Sequence, residues 1–210
     1  MKIGIMVAME AELKALERVG LKNVRLSGIG KVNAARNATE FILKDNPDCI
    51  ISSGVAGGID SSLKVGDFVV GTETAYHDVW CGEGNEMGQV QGLPRCFEAS
   101  AELLDKLSAL DTEGYTLHKG LICTGDQFLT TLEEDIRVKS LYPQALACDM
   151  ESAAIAQVCL HYGVPFLSFR LISDVQSPDC NHQQAYDGFW KEAGQRSFEL
   201  LSRFLKLMED

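Results

Sequence analysis

Short apolar runs alternate along this chain with stretches in which apolar residues recur every three or four positions, the pattern of βα units packed on a central sheet. The runs predict strands at residues 2–8, 24–27, 49–55, 67–72, 116–124, 146–148 and 166–172. The periodic stretches predict helices at 10–18, 32–43, 101–110, 133–141, 151–161 and 192–207, each with one face to bury. In the last of these, Phe198, Leu201, Phe204 and Leu205 mark that face. Residues 79–94 are Gly-rich and carry neither period, so they read as a long loop of the kind that serves a site or an interface. A single α/β domain over residues 1–210 is expected.

Charge and composition narrow the classes of function. With 30 acidic against 19 basic residues the formal net charge is −11, which argues against nucleic acid and anionic membranes as partners, since both call for clustered Lys and Arg. The first eight residues are apolar but run straight into Glu10 and Glu12, too short for a secretory h-region, and read as a buried first strand. No window approaches the ~18 uninterrupted apolar residues of a spanning helix. A cytoplasmic protein is expected. Its seven cysteines form no Cys-x-x-Cys pair and mostly sit inside apolar runs, which suits reduced, buried thiols. The four histidines are scattered, so neither a metal site nor a cofactor is expected.

Candidate chemistry gathers just after the strands. The run from Phe169 ends abruptly in Arg170, Ser173 and Asp174; in open α/β sheets ligands bind outside the carboxyl ends of strands, so Asp174 either faces such a crevice or caps the next segment. Glu12 either points back over the sheet edge or only favours the dipole of its helix. The turn Ser27-Gly28-Ile29-Gly30-Lys31 has the look of a phosphate cradle but matches neither of the Gly-rich nucleotide patterns. Gly54 to Gly58 is either a tight turn or a place where a ligand approaches the backbone. In Cys148-Asp149-Met150-Glu151-Ser152 two acids stand at a strand-to-helix junction, where one can cap the helix.

Taken in order, the motifs Ala8-Met9-Glu10-x-Glu12, Ser27-Gly28-Ile29-Gly30-Lys31-Val32, Gly54-x-Ala56-Gly57-Gly58, Val65-Gly66-Asp67 and Tyr76-His77-Asp78 are specific. They continue through Gly125-Asp126-x-Phe128, Met150-Glu151-x-x-Ala154-Ile155-Ala156 and Arg170-x-Ile172-Ser173-Asp174. Over nearly its whole length the chain resembles the nucleoside phosphorylase/hydrolase superfamily, and within it the 5′-methylthioadenosine/S-adenosylhomocysteine nucleosidases. The resemblance implies a three-layer α/β/α fold around a mixed, twisted sheet, a homodimer, and hydrolysis of the adenine N9–ribose C1′ bond through an oxocarbenium-like transition state. It implies that Asp174 protonates purine N7, Ser173 orients Asp174, Glu12 activates water and Arg170 holds the Glu12–water–Glu151 cluster together. Glu151 then takes the ribose hydroxyls, with Met150 packed under the ribose, Phe128 stacked on adenine, and the Leu129 backbone reading the purine edge. The resemblance also implies Met9, Ile29, Tyr186 and Phe189 as candidates for the 5′ pocket and Val55, Ala56 and Gly57 as further substrate-binding residues.

Departures from the family pattern bear on the substrate. The strand before Gly54 carries no Arg to hold phosphate, and Val55 stands where a Ser is usual, which favours hydrolysis over phosphorolysis. Asp149 stands for the usual Glu, the first helix joins the next strand without the longer hairpin of relatives, and residues 176–184 carry Pro178 and Cys180 in the lid over the purine. Two alternatives stay open: a hydrolase or phosphorylase of another purine nucleoside such as futalosine, aminofutalosine or inosine, and a non-catalytic nucleoside-binding protein.

Overall fold

The apolar runs form strands that are covered on both faces, which is why they read as continuous rather than alternating. In the computed structural model, which describes residues 1–175, 182–192 and 198–209, the order is β1 (Ile3–Val7), α1 (Glu10–Arg18), β2 (Val24–Leu26), α2 (Lys31–Asp45), β3 (Cys49–Gly58), β4 (Phe68–Tyr76), β5 (Cys96–Glu98) and α3 (Ala101–Leu107). There follow β6 (Leu117–Thr124), α4 (Leu132–Leu141), β7 (Ala145–Asp149), α5 (Ser152–Tyr162), β8 (Phe166–Val175), α6 (His182–Glu192) and α7 (Glu199–Glu209).

The sheet is mixed, as the resemblance implies, and it also closes on itself. β1 lies between β2 and β3, parallel to both. β3 pairs in parallel with β8 and, through Gly57 and Gly58, antiparallel with β7. β8 runs antiparallel to β4, β4 is parallel to β6, and β6 is parallel to β7, so β3, β8, β4, β6 and β7 form a ring.

Helices cover the sheet on two sides. Ile5, Ile51, Phe169 and Leu167 pack against Leu16 of α1, Leu103 of α3, Phe189 of α6 and Phe204 of α7, with Phe204 stacked on Phe169 at 6.0 Å between ring centres. Their strand neighbours Met6, Ile50 and Phe166 face the other way, onto Ala34, Ala38 and Phe41 of α2 and Ala153 to Ala156 of α5. Phe198, Leu201, Phe204 and Leu205 are all buried.

Several boundaries differ from the pattern's prediction. β3, β4 and β8 run on to Gly58, Tyr76 and Val175, because ring closure supplies ladder partners to small and polar residues that read as strand ends. Residues 54–58 are therefore strand, not a tight turn. β5 is three residues long and too short to show a period. Helix α6 was not expected, and of the helix read at 192–207 Glu192 ends α6 while residues 199–207 lie in α7; residues 193–197 lie outside the described residues, as do Pro178 and Cys180. The loop 79–94 is held down by Arg95, which donates to the Met87 and Leu141 carbonyls and lies over the Tyr142 ring at 4.4 Å. The direct link from α1 leaves β2 a three-residue edge strand. Cys49, Cys81, Cys96, Cys123, Cys148 and Cys159 are free, with all but Cys81 and Cys96 buried. Among the described residues no helix is long and apolar enough to cross a membrane.

Candidate active site

Glu12 takes both parts that its position allowed. Its Oε2 accepts from the Ala8 and Met9 amides at 2.8 and 3.0 Å, tying down the start of α1, while Oε1 accepts from the Val55 amide of β3 at 2.9 Å. Val55 can do this because Gly54 precedes it with φ +130°, and a side chain on Gly54 would strike the Glu12 carboxylate and lie 2.8 Å from Arg170 Nη1. Burial pushes the Glu12 carboxyl above its ordinary value, against the pull of Arg170 and of the three amides.

Asp174 is placed by an extra residue. Along the β3–β8 ladder Ala56 faces Ile172 but Gly57 faces Asp174, so Ser173 is inserted without a partner of its own. Such a bulge re-aims the side chains around it. Ser173 Oγ donates to Asp174 Oδ1 at 2.8 Å and lies 3.3 Å from the Ala56 carbonyl, the orienting contact that the resemblance implies. The other carboxylate oxygen rests over Gly57, where a side chain would come within 3.1 Å.

Glu151 stands at the start of α5, and its Oε1 accepts from the Gly30 amide at 2.9 Å. The neighbouring Lys31 amide donates to Asp126 Oδ1 at 2.7 Å, so these amides of the Gly28–Lys31 turn serve carboxylates instead of forming a phosphate cradle. Burial, and then the charge of Asp149, push the Glu151 carboxyl up to about 7, against the pull of Arg170. Asp149 is the helix-capping acid of the pair: its Oδ1 accepts from the Glu151 and Ser152 amides at 3.2 and 3.1 Å.

These elements enclose a cavity of about 310 Å³. Met9, Glu12, Ile29, Val55, Ala56, Gly57, Phe128, Leu129, Met150, Glu151, Ser173, Asp174 and Tyr186 line it. Phe128 and Tyr186 meet edge to face at 5.4 Å, and the Tyr186 hydroxyl reaches Met9 Sδ at 3.4 Å, so one end has aromatic and thioether walls. Two residues expected at the site stand elsewhere. Phe189 is buried in the core beneath α6, three residues on from Tyr186 and beside Trp190 at 5.5 Å. Arg170 does not reach the cavity; it is 1% exposed and lies behind the carboxylates, its Nε 2.8 Å from Asp149 Oδ2 and its Nη2 2.7 Å from Ser52 Oγ. Its direct partner is Asp149 rather than Glu12 or Glu151, because the cap at the β7–α5 junction brings that carboxylate against the guanidinium plane.

Ala8, Gly58, Ile59, Gln127, Asp135, Cys148, Asp149 and Gln183 also line the cavity. The motifs bracket most of these, but Asp135 lies one turn into α4 with no local signal to set it apart. Five acids and no Lys, Arg or His line the cavity among the described residues.

Comparison with known proteins agrees with this geometry. The sequence profile of the Phosphorylase superfamily matches residues 22–206. A 5′-methylthioadenosine/S-adenosylhomocysteine nucleosidase of Staphylococcus aureus is 36% identical over 214 residues, covering 91% of this chain and 93% of that protein. The structure of the same-named enzyme from Neisseria meningitidis in complex with methylthio-immucillin-A superposes with a TM-score of 0.88 at 34% identity, covering 97% and 98% of the two chains. A futalosine hydrolase mutant of Helicobacter pylori has the same TM-score, 0.88, at 28% identity, covering 98% and 99%.

Proposed function

The chain belongs to the Phosphorylase superfamily, and from that premise we propose that its cavity hydrolyses the N-glycosidic bond of 5′-methylthioadenosine or S-adenosylhomocysteine, releasing adenine and the 5′-thio-ribose. One observation carries hydrolysis over phosphorolysis: among the described residues the cavity wall holds five acids and no cation. A phosphate dianion placed there would be repelled. Arg170 does not offset this, since it stands outside the cavity lining beside Asp149, and Val55 has no hydroxyl to offer a phosphate.

The same acids suit water and a cationic sugar. As the C1′–N9 bond breaks, Asp174, steadied by Ser173, gives its proton to purine N7, so that adenine leaves neutral. Glu12 holds and deprotonates the attacking water; the burial that raises its pKa makes it a stronger base. Glu151 accepts from the ribose hydroxyls, and the paired negative charges stabilise the developing oxocarbenium ion. Phe128 stacks on adenine, the Leu129 backbone reads its edge, and Met9, Ile29 and Tyr186 take the apolar 5′ substituent.

The reading extends to a homodimer, because Ile29 and Phe128 at the cavity, together with Val32 and Trp80, are exposed apolar surface that a second copy would cover. Free thiols suit a reducing, cytoplasmic setting. The test is to incubate the protein with 5′-methylthioadenosine, S-adenosylhomocysteine, futalosine and inosine, with and without phosphate. Adenine from the first two without phosphate supports the reading; cleavage of the others alone, or a requirement for phosphate, overturns it.

A further inference from the structure

Arg170 is a buried guanidinium whose N–H groups can be accounted for one by one. Nε lies 2.8 Å from Asp149 Oδ2 and donates to Ser152 Oγ at 3.3 Å. Nη2 donates to Ser52 Oγ at 2.7 Å and to Ser152 Oγ at 2.9 Å, and Nη1 donates to the Ser53 carbonyl. One N–H of Nη1 is left, on the side where Gly54 leaves room for both Nη1 and the Glu12 carboxylate. The Ser152 hydroxyl is the hub behind this arrangement. It donates to Asp149 Oδ2, accepts from Arg170 Nη2 and, at longer range, from Nε, and lies 2.7 Å from Ser168 Oγ, which is then the donor of that pair. Ser152 and Ser168 are both fully buried, so no water replaces these contacts.

We propose that Ser152 is a positioning residue of this site, its hydroxyl tying the Asp149 carboxylate to Arg170 so that the guanidinium's remaining edge is held over Gly54 against Glu12. Without the hydroxyl, Nη2 loses an acceptor and Asp149 a donor, and the two charges close into a two-point Arg–carboxylate pair that draws the cation off Glu12. The groups facing Glu12 are Arg170 from β8, Glu151 from the β7–α5 junction, Tyr186 from α6, and the amides of Ala8, Met9 and Val55. Arg170 is the one cation in that set, so Glu12 responds to its displacement.

The effect on turnover rests on the hydrolase reading; the effect on Glu12 does not. Ser152→Ala and Ser168→Ala are compared with the unaltered protein by two readouts: the pH profile of 5′-methylthioadenosine cleavage, and infrared titration of the carboxyl band that disappears in Glu12→Gln. Ser152→Ala should lower kcat about tenfold with KM within about twofold. The acid limb and the Glu12 band should both move to higher pH. Ser168→Ala, which touches Ser152 and not Arg170, should move both in the same direction by less, and it decides the matter if Ser152→Ala fails to fold. A Glu12 band that titrates unchanged in the folded variants overturns the proposal. Absence of cleavage by the unaltered protein overturns the hydrolase reading, while the infrared titration still decides the role of Ser152.

Discussion

Asp174 owes its position to one inserted residue, Ser173, and its freedom to approach the cavity floor to the missing side chain of Gly57. Asp174→Asn keeps the shape and removes the proton, so turnover should fall about a hundredfold or more while adenine binding, followed by calorimetry, changes little. Near-normal turnover would remove Asp174 from the role of acid. Glu151 makes a different claim, about stability. Its folded-state value of about 7 lies above the ordinary 4.5, so the unfolded chain gives up this proton first, and the contribution present below pH 4.5 is lost as pH rises through 7. Glu151→Gln keeps an acceptor for the Gly30 amide and cannot ionise. Denaturant titrations at pH 4.5 and pH 8 should therefore show the loss of stability between them reduced by about 3 kcal/mol relative to the unaltered protein. An undiminished loss would mean that Glu151 titrates normally. At this scale the residue types of the site were legible from the ordered motifs, while each acid taken singly also had a structural reading, as Asp149, which caps α5, shows. The partners of Arg170 were not legible, since Asp149, Ser152 and Ser52 become its neighbours only when β3, the β7–α5 junction and β8 meet.

Among the elements, β3 does the most to assemble the site. It pairs with β1, β7 and β8, and its Gly54 lets Glu12 of α1 and Arg170 of β8 approach over the same backbone. Gly54→Ala adds a side chain at φ +130° against both charged groups, so thermal unfolding should show a loss of at least about 2 kcal/mol, accompanied by loss of turnover. Wild-type stability and activity would show that the close approach is not needed. The apolar centres of β1, β3 and β8 and the periodic faces of α1, α2, α5 and α7 can be read directly from the chain, because burial on one or both faces writes itself into composition. The ends of β3 and β8 cannot. Gly57, Gly58, Ser173 and Asp174 resemble loop residues, and only pairing around the ring keeps them in the sheet.

At the scale of the whole molecule, closing the ring β3–β8–β4–β6–β7 carries the acids of three separate strand-to-helix regions to one cavity. Ile29 and Phe128 leave exposed apolar surface at that cavity, and Val32 and Trp80 are exposed apolar residues as well. Light scattering should give twice the 23.0 kDa chain mass, and Trp80→Glu should shift it toward one chain; a monomeric unaltered protein would refute the dimer. The class of fold was legible from the alternation of elements, whereas closure was not, since it depends on long-range pairs such as Phe68 with Leu171. The central claim is that water, not phosphate, attacks C1′. It is tested most directly by letting the enzyme cleave 5′-methylthioadenosine in ¹⁸O-water with phosphate present and weighing the sugar product. Free methylthioribose carrying ¹⁸O is the expected result; an unlabelled sugar 1-phosphate would contradict the account.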